Sequence, residues 1–596
     1  MVLTCCMVAA VSALSFGQGQ GLIVDNTTAT PNPGKGQDYI TDLNETVSPA
    51  NGSVSLSIQV PVPPGRLLTL PFGIGYNSTR SHYQYEQQFV STSLYNPGWS
   101  QGGWAYEVPM MTTNLSHQLF EGTDEKLFIC PIWNNYVFTD ASGGGHSLGL
   151  RTGITAQTEC AVNSTPNLDL YYVNTVYSFA SPPPPITIGG DYQFQASTTS
   201  TAGSSNTAPT TVQDRSGTKY YFISPQSGYG LTQVAPNIPQ YIEDRNGNKI
   251  NFSKGSTLGA LTITDTLGRP VISTTGFGST GAQIYVAGTT SPYTLTWGTQ
   301  SVNYSLAVTV AADDGFAPGN CSNRSAAFTG IANVLKSISL PNREAFHFTY
   351  DPVYGNLAKI VYPNGAYVRY KWGVNPQSDS ATGTYELISG NGSSVVGNAY
   401  CGFRFDTPAV TDRWVSFDGV TEPLHQHFSY STSWGTGVLW TSKVTTVITY
   451  DLLRGTSSAT THSYVPDPQT GGGIWSVYQS GISSSTVAGS PIPVESSTVV
   501  NDYSGNVIES VNNTWDNLYA LAQQSVTIGT GASAITRKSV YTYDTYGELK
   551  EKDEYDYGAG SPSRKTLTSY QEFGRTNLLP NLVDRSCKTG HDRWSR

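Results

Sequence analysis

Charge is scarce in this sequence, and so is any sign of helix. Charged residues make up 12% of the 596 residues, about half of the share near 25% that soluble domains usually carry. Apolar residues do not recur with a helical period over any sustained segment, and no apolar run is as long as a membrane-spanning helix requires. We therefore expect little helix and no membrane span.

Basic stripes and catalytic motifs are missing as well. The formal net charge is −10, and without a basic stripe we expect no nucleic-acid partner. The sequence contains no Gly-x-Ser-x-Gly elbow, no Cys/His pairing and no phosphate-binding loop. We therefore predict a protein that is not an enzyme, with no catalytic, cofactor-binding or metal-binding residues and no cofactor.

What the sequence does contain is a repeat, which is clearest between Leu335 and Trp372. Apolar and turn positions recur together 22 residues apart: Leu335 and Leu357, Ile338 and Ile360, Pro341-Asn342 and Pro363-Asn364, Phe348 and Tyr370, Tyr350 and Trp372. A fixed offset shared by both kinds of position indicates a supersecondary unit that occurs more than once.

Each unit reads as two short antiparallel strands with turns between them. Phe346, Phe348 and Tyr350 alternate with polar residues, which is typical of a strand with one packed face and one wet face. Pro363-Asn364-Gly365 suits a type I turn with Gly as its last residue. A lone hairpin is only marginally stable, so neighbouring hairpins must stack. The sequence thus predicts an all-β fold of repeated antiparallel hairpins.

Four consecutive motifs in this stretch carry a family resemblance: Phe348-Thr349-Tyr350-Asp351, Gly355-Asn356-Leu357, Tyr362-Pro363-Asn364-Gly365 and Tyr370-Lys371-Trp372. They resemble the YD repeat of the RHS family, which includes bacterial polymorphic toxins, toxin-complex proteins and teneurins. Residues 46–112 resemble the segment that opens many RHS and toxin-complex proteins. The resemblance implies a spiralling sheet that closes into a hollow shell around a C-terminal effector.

Composition and repeat quality divide the chain into seven segments. They are a secretion-signal-like segment at 1–17, a linker at 18–45, an N-terminal β segment at 46–112, degenerate β repeats with low-complexity loops at 113–235, YD repeats at 236–375, an irregular β region at 376–500, and YD repeats with a truncated end at 501–596. We expect Pro182–Pro185 and Ala196–Thr211 to be surface loops. Because family members carry further repeats and an effector, we expect a truncated reading frame.

Residues 1–17 are apolar and uncharged, with small residues at Ala13, Ser15 and Gly17. This pattern is typical of a secretion signal, although a positively charged start is missing. We therefore expect a secreted or cell-surface bacterial protein. Five of the seven cysteines lie beyond this segment and are widely spaced, which favours buried thiols. A disulfide between Cys130 and Cys160 is the one pairing that export would suggest.

Two local motifs could carry chemistry, and each has a simpler structural interpretation. His425-Gln426-His427 places two imidazoles on one strand face, with Asp418 and Glu422 close in sequence. Two ligands do not make a metal site, so we expect an ordinary exposed strand. Gly276–Gly281 matches the GxGxxG pattern, but a strand pattern follows it instead of a helix. That context favours a glycine-rich turn over a dinucleotide site.

Aspartates recur at predicted turns: Asp244, Asp265, Asp351 and Asp544. Paired carboxylates could hydrolyse glycosides, but their regular recurrence favours residues that cap their own turns through Asx hydrogen bonds. Asp313-Asp314-Gly315 and Asp553-Glu554 could bind Ca²⁺ weakly, yet neither has the spacing of a known calcium loop.

These features favour an exported, non-catalytic scaffold, which the family resemblance implies is a shell that encloses and delivers an effector in intercellular competition. Its partner would then be an effector domain outside this chain. The alternative is a cell-surface adhesin that binds carbohydrate, since Tyr- and Trp-rich strands can stack on glycans. A polysaccharide-acting enzyme ranks third, because no constellation of residues supports it.

Overall fold

The computed structural model describes most of the chain between Glu45 and Arg593. The described residues are 45–68, 72–81, 100–121, 127–141, 145–148, 150, 152–153, 161–162, 177–178, 186–190, 194–199, 209–214, 216–223, 234–257, 259–313, 324–388, 395–435, 437–466, 493–516, 521–543, 549–570 and 586–593. Several predictions concern other residues, namely those for 1–44, Pro182–Pro185, Cys160, Asp314-Gly315 and Asp544.

Five strands form an antiparallel unit, here called the N-terminal sheet, in the order β1-β2-β3-β5-β4. They are β1 (Glu45–Val47), β2 (Val54–Gln59), β3 (Gly73–Asn77), β4 (Ser100–Gln101) and β5 (Trp104–Tyr106). A single 3₁₀ turn, Ser78–Arg80, follows β3. Residues on both faces of β2 and β3 are buried, and all three residues of β5 are buried. Both faces of this small sheet are therefore covered by other parts of the protein.

A second sheet is built around one long hairpin. It contains β6 (Met110–Glu121), β7 (Leu127–Thr139), β8 (Gly145–Ser147), β9 (Thr152–Gly153), β10 (Ala161–Val162), β11 (Tyr177–Ser178) and β16 (Val234–Asn237). Phe138 on β7 packs against Phe194 and Phe222, which belong to the next sheet. These aromatic contacts form a separate small core.

Twenty-five of the described strands form one continuous antiparallel sheet, here called the large sheet. They are β12 (Ile186–Gly190), β13 (Phe194–Thr199), β14 (Thr210–Asp214), β15 (Lys219–Phe222), β17 (Tyr241–Glu243), β18 (Lys249–Lys254), β19 (Ala260–Thr264), β20 (Pro270–Thr275), β21 (Ala282–Val286), β22 (Tyr293–Asp313), β23 (Arg324–Ser339), β24 (Ala345–Tyr350), β25 (Leu357–Val361), β26 (Tyr367–Ile388), β27 (Val395–Ser416), β28 (Leu424–Trp434), β29 (Trp440–Asp451), β30 (Thr456–Pro466), β31 (Pro493–Asn501), β32 (Val507–Trp515), β33 (Leu521–Ile528), β34 (Ile535–Tyr543), β35 (Leu549–Tyr555), β36 (Arg564–Tyr570) and β37 (Ser586–Arg593). Each strand pairs with the next one in this order, so the all-β prediction is confirmed.

The repeat between Leu335 and Trp372 has the predicted geometry. Phe346, Phe348 and Tyr350 on β24 are buried, and the residues between them are exposed or partly buried. Gly365 donates its N–H to Tyr362 O at 2.9 Å and has φ +88°, a conformation that glycine adopts without strain. Alternation on the strands and glycine at the turn therefore specify this unit locally.

Successive hairpins of the large sheet are offset along the strands. β31 ends opposite Ala459, three residues inside the start of β30, and β33 ends opposite Glu509, two residues inside the start of β32. β35 ends opposite Lys538, three residues inside the start of β34. Two or three residues correspond to roughly 7–10 Å for every two strands, which are about 10 Å wide, so the strands tilt by about 40°. This shear makes the sheet spiral.

The large sheet curves around the N-terminal sheet and forms part of a ring-like shell. Direct hydrogen bonds join the two from Gly276, just after β20, to Thr445 on β29. Ten flat strands would extend over about 43 Å, whereas five strands are only about 19 Å wide. So many strands can reach so narrow a unit only if the large sheet bends. Its face towards the N-terminal sheet is therefore concave.

Part of the large sheet closes on itself. β22 pairs with β23 along most of its length, and its far end, Val308–Asp313, pairs with β27. The six strands from β22 to β27 thus pair in a closed ring, and β24 and β25 are the short strands of this ring. Tyr354, in the turn between those two strands, packs its ring 6.0 Å from that of Tyr304 on β22. Side chains fill the interior of this ring, which is therefore a packed core.

The prediction of a surface loop over Ala196–Thr211 is wrong at both ends of that segment. β13 continues to Thr199, and β14 begins at Thr210. Ala196 and Thr210 are fully buried. Serine and threonine promote loops by composition, but β-branched threonine also suits a strand, and ladder pairing with β14 decides the outcome here. The segment boundaries within the large sheet stay a prediction.

Candidate functional site

The concave face of the large sheet is the first feature with functional potential, because it already holds a folded unit. Trp104 Nε1 donates to Tyr350 Oη at 2.8 Å, and the Leu357 N–H donates to Tyr76 Oη at 2.9 Å. Thr445 Oγ1 donates to Pro49 O at 2.6 Å. Burial raises the pKa of the Tyr350 hydroxyl well above its usual value. The tyrosines at this contact are thus neutral hydrogen-bonding groups.

A buried ion pair lies at the start of the N-terminal sheet. Arg413 on β27 and Glu45 on β1 are both fully buried and form a salt bridge. Arg413 Nη1 also donates to Gln426 Oε1 at 2.6 Å, and Tyr362 Oη donates to Glu45 Oε2 at 2.7 Å. Burial raises the pKa of Tyr370 beside this pair well above its usual value. A buried charge is tolerated only with such partners, so the cluster fixes where β1 docks.

A second polar group, here called the wall cluster, lies on the same face and consists of Lys443, His462, Glu495 and Thr498. The registers bring β29, β30 and β31 side by side at this point. His462 Nδ1 lies 2.9 Å from Glu495 Oε1, and Thr498 Oγ1 donates to the same oxygen at 2.9 Å. Burial lowers the pKa of Lys443. A carboxylate can orient an imidazole for proton transfer, but here it cross-links buried strands.

The opposite, convex face carries a stacked ladder across four strands. The Arg369 guanidinium lies 3.7 Å from the ring centre of Trp414, which stacks on His425 at 4.7 Å with an interplanar angle of 3°. His425 in turn stacks on Tyr450 at 5.1 Å. Glu422 binds Arg369 through two hydrogen bonds of 2.6 and 2.8 Å. Both faces of the Trp414 and His425 rings are therefore covered by their neighbours in the stack and are not open to a sugar ring.

The histidine motif has a different partner from the one its sequence neighbours suggest. His425 Nε2 and His427 Nδ1 lie 3.0 and 2.9 Å from the same oxygen of Asp412. Burial acts to raise the pKa of Asp412, but hydrogen bonds from the two imidazoles outweigh it and the pKa is lowered. Asp418 caps its own turn, and Glu422 binds Arg369. Within the described ranges no group of three or more His, Cys, Asp or Glu residues could hold a metal ion.

The recurring aspartates that the structure describes cap turns, as predicted. Asp244 Oδ1 accepts the N–H groups of Asn246 and Asn248 at 2.8 and 2.9 Å. Asp265 and Asp351 make the same kind of bond to residues two positions ahead. Their carboxylates therefore serve the backbone of their own hairpins, and the sites are separated by whole strands. This arrangement does not form a carboxylate pair for glycoside hydrolysis.

The remaining motifs are structural where they are described. Gly276–Gly281 is an irregular turn between β20 and β21, followed by a strand, so the glycine-rich turn is confirmed. Asp553 and Glu554 form ion pairs with Lys565 and Lys552. No helix long and apolar enough to cross a membrane is found in the described part of the chain.

Sequence reasoning missed the buried ion pair and the wall cluster. Both place charged side chains at inward positions of a strand, such as Arg413 on the same face as Val415. In a chain with so few charges, a charge at an inward position is the signal that could have revealed them. Their partners could not be found, because Glu45 lies 368 residues from Arg413.

Comparisons with known proteins give weak structural matches alone. No family model matches the chain, and no curated protein matches it. Among solved structures, it resembles the crystal structure of TcdB2-TccC3 at 8% identity, a TM-score of 0.27, and coverage of 93% of this chain and 48% of that chain. The form of that complex without its hypervariable C-terminal region gives 10% identity, a TM-score of 0.16, and coverage of 87% and 27%.

A third match is the Tc holotoxin pore of Photorhabdus luminescens, at 8% identity and a TM-score of 0.09, with coverage of 87% of this chain and 31% of that chain. This chain spans about half the length of the first matching chain and less of the others. Likeness at TM-scores below 0.5 carries no inference about function, so function has to be inferred from the residues of this chain.

Proposed function

We propose that this chain is a non-catalytic β-repeat scaffold that encloses polypeptide within its curved sheet. The observation that carries the proposal is the N-terminal sheet, which the large sheet already surrounds so closely that β2, β3 and β5 are buried on both faces. A sheet that wraps one folded unit has the curvature needed to hold another. An enclosing scaffold needs no reactive site. The polar and charged side chains described above bond to neighbouring strands and turns, as this role would require.

The concave face continues beyond the N-terminal sheet as a wall made by β30 to β36. Most residues of β32 to β35 are exposed or partly buried on both faces, unlike those of β24. Partly exposed polar side chains such as Ser539 lie there beside tyrosines such as Tyr541, while Asn513 and Gln524 hydrogen-bond to each other. Such a surface can hydrogen-bond to many backbones without selecting one fold. The partner would be an effector polypeptide, and the apolar residues 1–17 favour export, with delivery to competing cells as the role.

Enclosure can be tested by protease protection. An unstructured reporter segment of about 50 residues would be fused after Arg596, and the same segment would be fused before Met1 in a control protein. Enclosure predicts that the first segment is cleaved at least about tenfold more slowly than the second at equal protease concentration. Equal cleavage rates would show that the sheet encloses nothing further and would overturn the proposal.

The carbohydrate-binding alternative has no specific observation in its favour. The aromatic side chains of the convex ladder stack face to face, whereas a sugar ring needs an open aromatic face. A glycan array probed with the intact protein separates the two proposals. Saturable binding to one glycan class, lost on changing Trp414 to Ala, would favour an adhesin over an enclosing scaffold.

A further inference from the structure

One rim of the large sheet carries a row of exposed apolar side chains. In an antiparallel sheet every second connection lies at the same edge, so the turns after β27, β29, β31, β33 and β35 are neighbours. These five turns, together with the first residue of β34, carry what is here called the apolar rim: Phe417, Val420, Leu453, Tyr503, Ile535 and Tyr557. Single exposed apolar residues are ordinary, but a row over five consecutive turns is not.

The apolar rim differs from most of the same edge, because exposed apolar tips follow one another there over consecutive turns. Val420, Leu453 and Tyr503 are 82%, 76% and 75% exposed, respectively. Of the earlier turns at this edge, the one after β19 exposes an apolar tip, Leu267, but it is flanked by turns after β17, β23 and β25 that expose polar tips: Arg245, Asn246, Asn342, Arg343 and Asn364. Turn formation itself accepts polar tips equally well, so local folding does not require the apolar ones. Their exposure points to a contact outside the described fold.

The shape of the apolar rim favours a lipid surface over a protein partner. Its tips are about 10 Å apart across the sheet and mostly about 7–10 Å apart along the strands, which gives a ridge about 50 Å long and one turn wide. Such a ridge presents roughly 500 Å², less than the roughly 800 Å² that each partner buries in a stable protein interface. A small contact area matters less for binding to a membrane, because each protruding tip can enter the boundary between lipid headgroups and acyl chains by itself.

The charges of the rim select the kind of lipid. Asp418, Asp451 and Asp502 lie in the same turns, and each accepts backbone N–H groups of its own turn. These hydrogen bonds lower the pKa of Asp418 and Asp451, and a hydrogen bond from the Asn506 side chain together with the backbone bonds lowers the pKa of Asp502, so all three are ionised at neutral pH. Arg454 pairs with Asp451 and offsets one of these charges. A rim with an excess of carboxylates is not attracted to an anionic surface.

We infer that the apolar rim docks the protein on a zwitterionic lipid surface, with the turn tips inserted and the strands outside the membrane. This inference does not depend on whether the curved sheet encloses a cargo.

Vesicle flotation of the full chain tests the inference directly. The wild-type protein is expected to float with phosphatidylcholine vesicles and to bind no better to vesicles that also contain phosphatidylserine. Changing Val420 and Leu453 together to Ser should weaken partitioning by about tenfold or more for each side chain. Leu67→Ser is the matched control, because Leu67 is 78% exposed beside the Thr266 turn of the same edge and should change partitioning less than twofold.

Each other outcome overturns the inference. A wild-type protein that stays in solution has no lipid contact at this rim, and a V420S/L453S protein that floats like wild type places the contact elsewhere. Binding that requires phosphatidylserine would assign the contact to basic residues. Light scattering measures the oligomeric state of both proteins. If the wild type is a dimer and V420S/L453S is a monomer, the rim joins two copies of the chain and does not bind lipid.

Discussion

The buried pair between Glu45 and Arg413 allows a sharp test of how the N-terminal sheet is held. Changing Glu45 to Ala would leave the Arg413 guanidinium buried without its carboxylate partner, beside the neutral side chains of Gln426 and Tyr370, and it would remove a hydrogen-bond acceptor of Tyr362 Oη. Breaking a buried pair from one side costs about 3–5 kcal/mol. The equilibrium for release of β1 should therefore shift by roughly two to four powers of ten.

Replacing both charges separates the charge effect from simple loss of contact. In Glu45→Leu combined with Arg413→Met, no charge is left buried, and such replacements are often neutral or stabilising. We therefore expect the double variant to hold the N-terminal sheet nearly as well as the wild type. Glu344→Ala is the control for loss of an exposed carboxylate, because Glu344 lies at the surface and bonds to Asn342. It should change stability by less than about 0.5 kcal/mol.

Local opening is the quantity to measure, since a long repeat sheet need not unfold in one step. Native-state proteolysis of the N-terminal sheet, at low protease concentration, reports the population of its released form. The expected order of resistance is wild type and double variant together, with Glu45→Ala at least a hundredfold more sensitive. A single variant as resistant as wild type, or a double variant as sensitive as the single one, would refute the reasoning.

Three further predictions concern other parts of the molecule. Tyr350→Phe leaves the buried Trp104 indole N–H without its acceptor, so unfolding free energy in chemical denaturation should fall by about 1–3 kcal/mol. Burial opposes ionisation of Asp265, but bonds from Arg269 and from the backbone outweigh it and lower its pKa. A carboxyl whose pKa is lowered in the folded protein stabilises the fold at pH values above its unfolded pKa, which is near 4. The loss of stability in Asp265→Asn should therefore be full at pH 7 and vanish as acid protonates the carboxyl of the folded wild-type protein. Metal analysis of purified protein should find no zinc at the two imidazoles bound to Asp412; stoichiometric zinc, lost on changing His425 to Ala, would contradict their structural role.

Local patterns predicted the hairpins well because the information lies within a few residues. Phe346, Phe348 and Tyr350 alternate on one strand, and Gly365 supplies the positive φ that its turn requires. Asp265 could likewise be assigned to its own turn, since its hydrogen-bond partners lie two and four residues ahead. Period, turn chemistry and capping all act over such short distances.

Long-range pairing could not be predicted in the same way. The pairing of β22 with β27 depends on how far the long hairpins β22–β23 and β26–β27 extend beyond the short hairpin β24–β25. The ladder through Trp414, His425 and Tyr450 depends on the register of three strands, and a shift of one residue would move every side chain to the other face. Turn residues alone do not fix that register.

Amide hydrogen exchange at Val410 and Leu357 tests most directly whether the large sheet surrounds the N-terminal sheet. The N–H of Val410 donates to Gly52 O at 3.0 Å, and that of Leu357 donates to Tyr76 Oη at 2.9 Å. Both bonds therefore exist only while the small sheet lies against the concave face. We predict that both amides exchange as slowly as the ladder amides of β24 and that Glu45→Ala accelerates Val410 most. Rapid exchange at both positions in the wild-type protein, beside a protected β24, would contradict the enclosure.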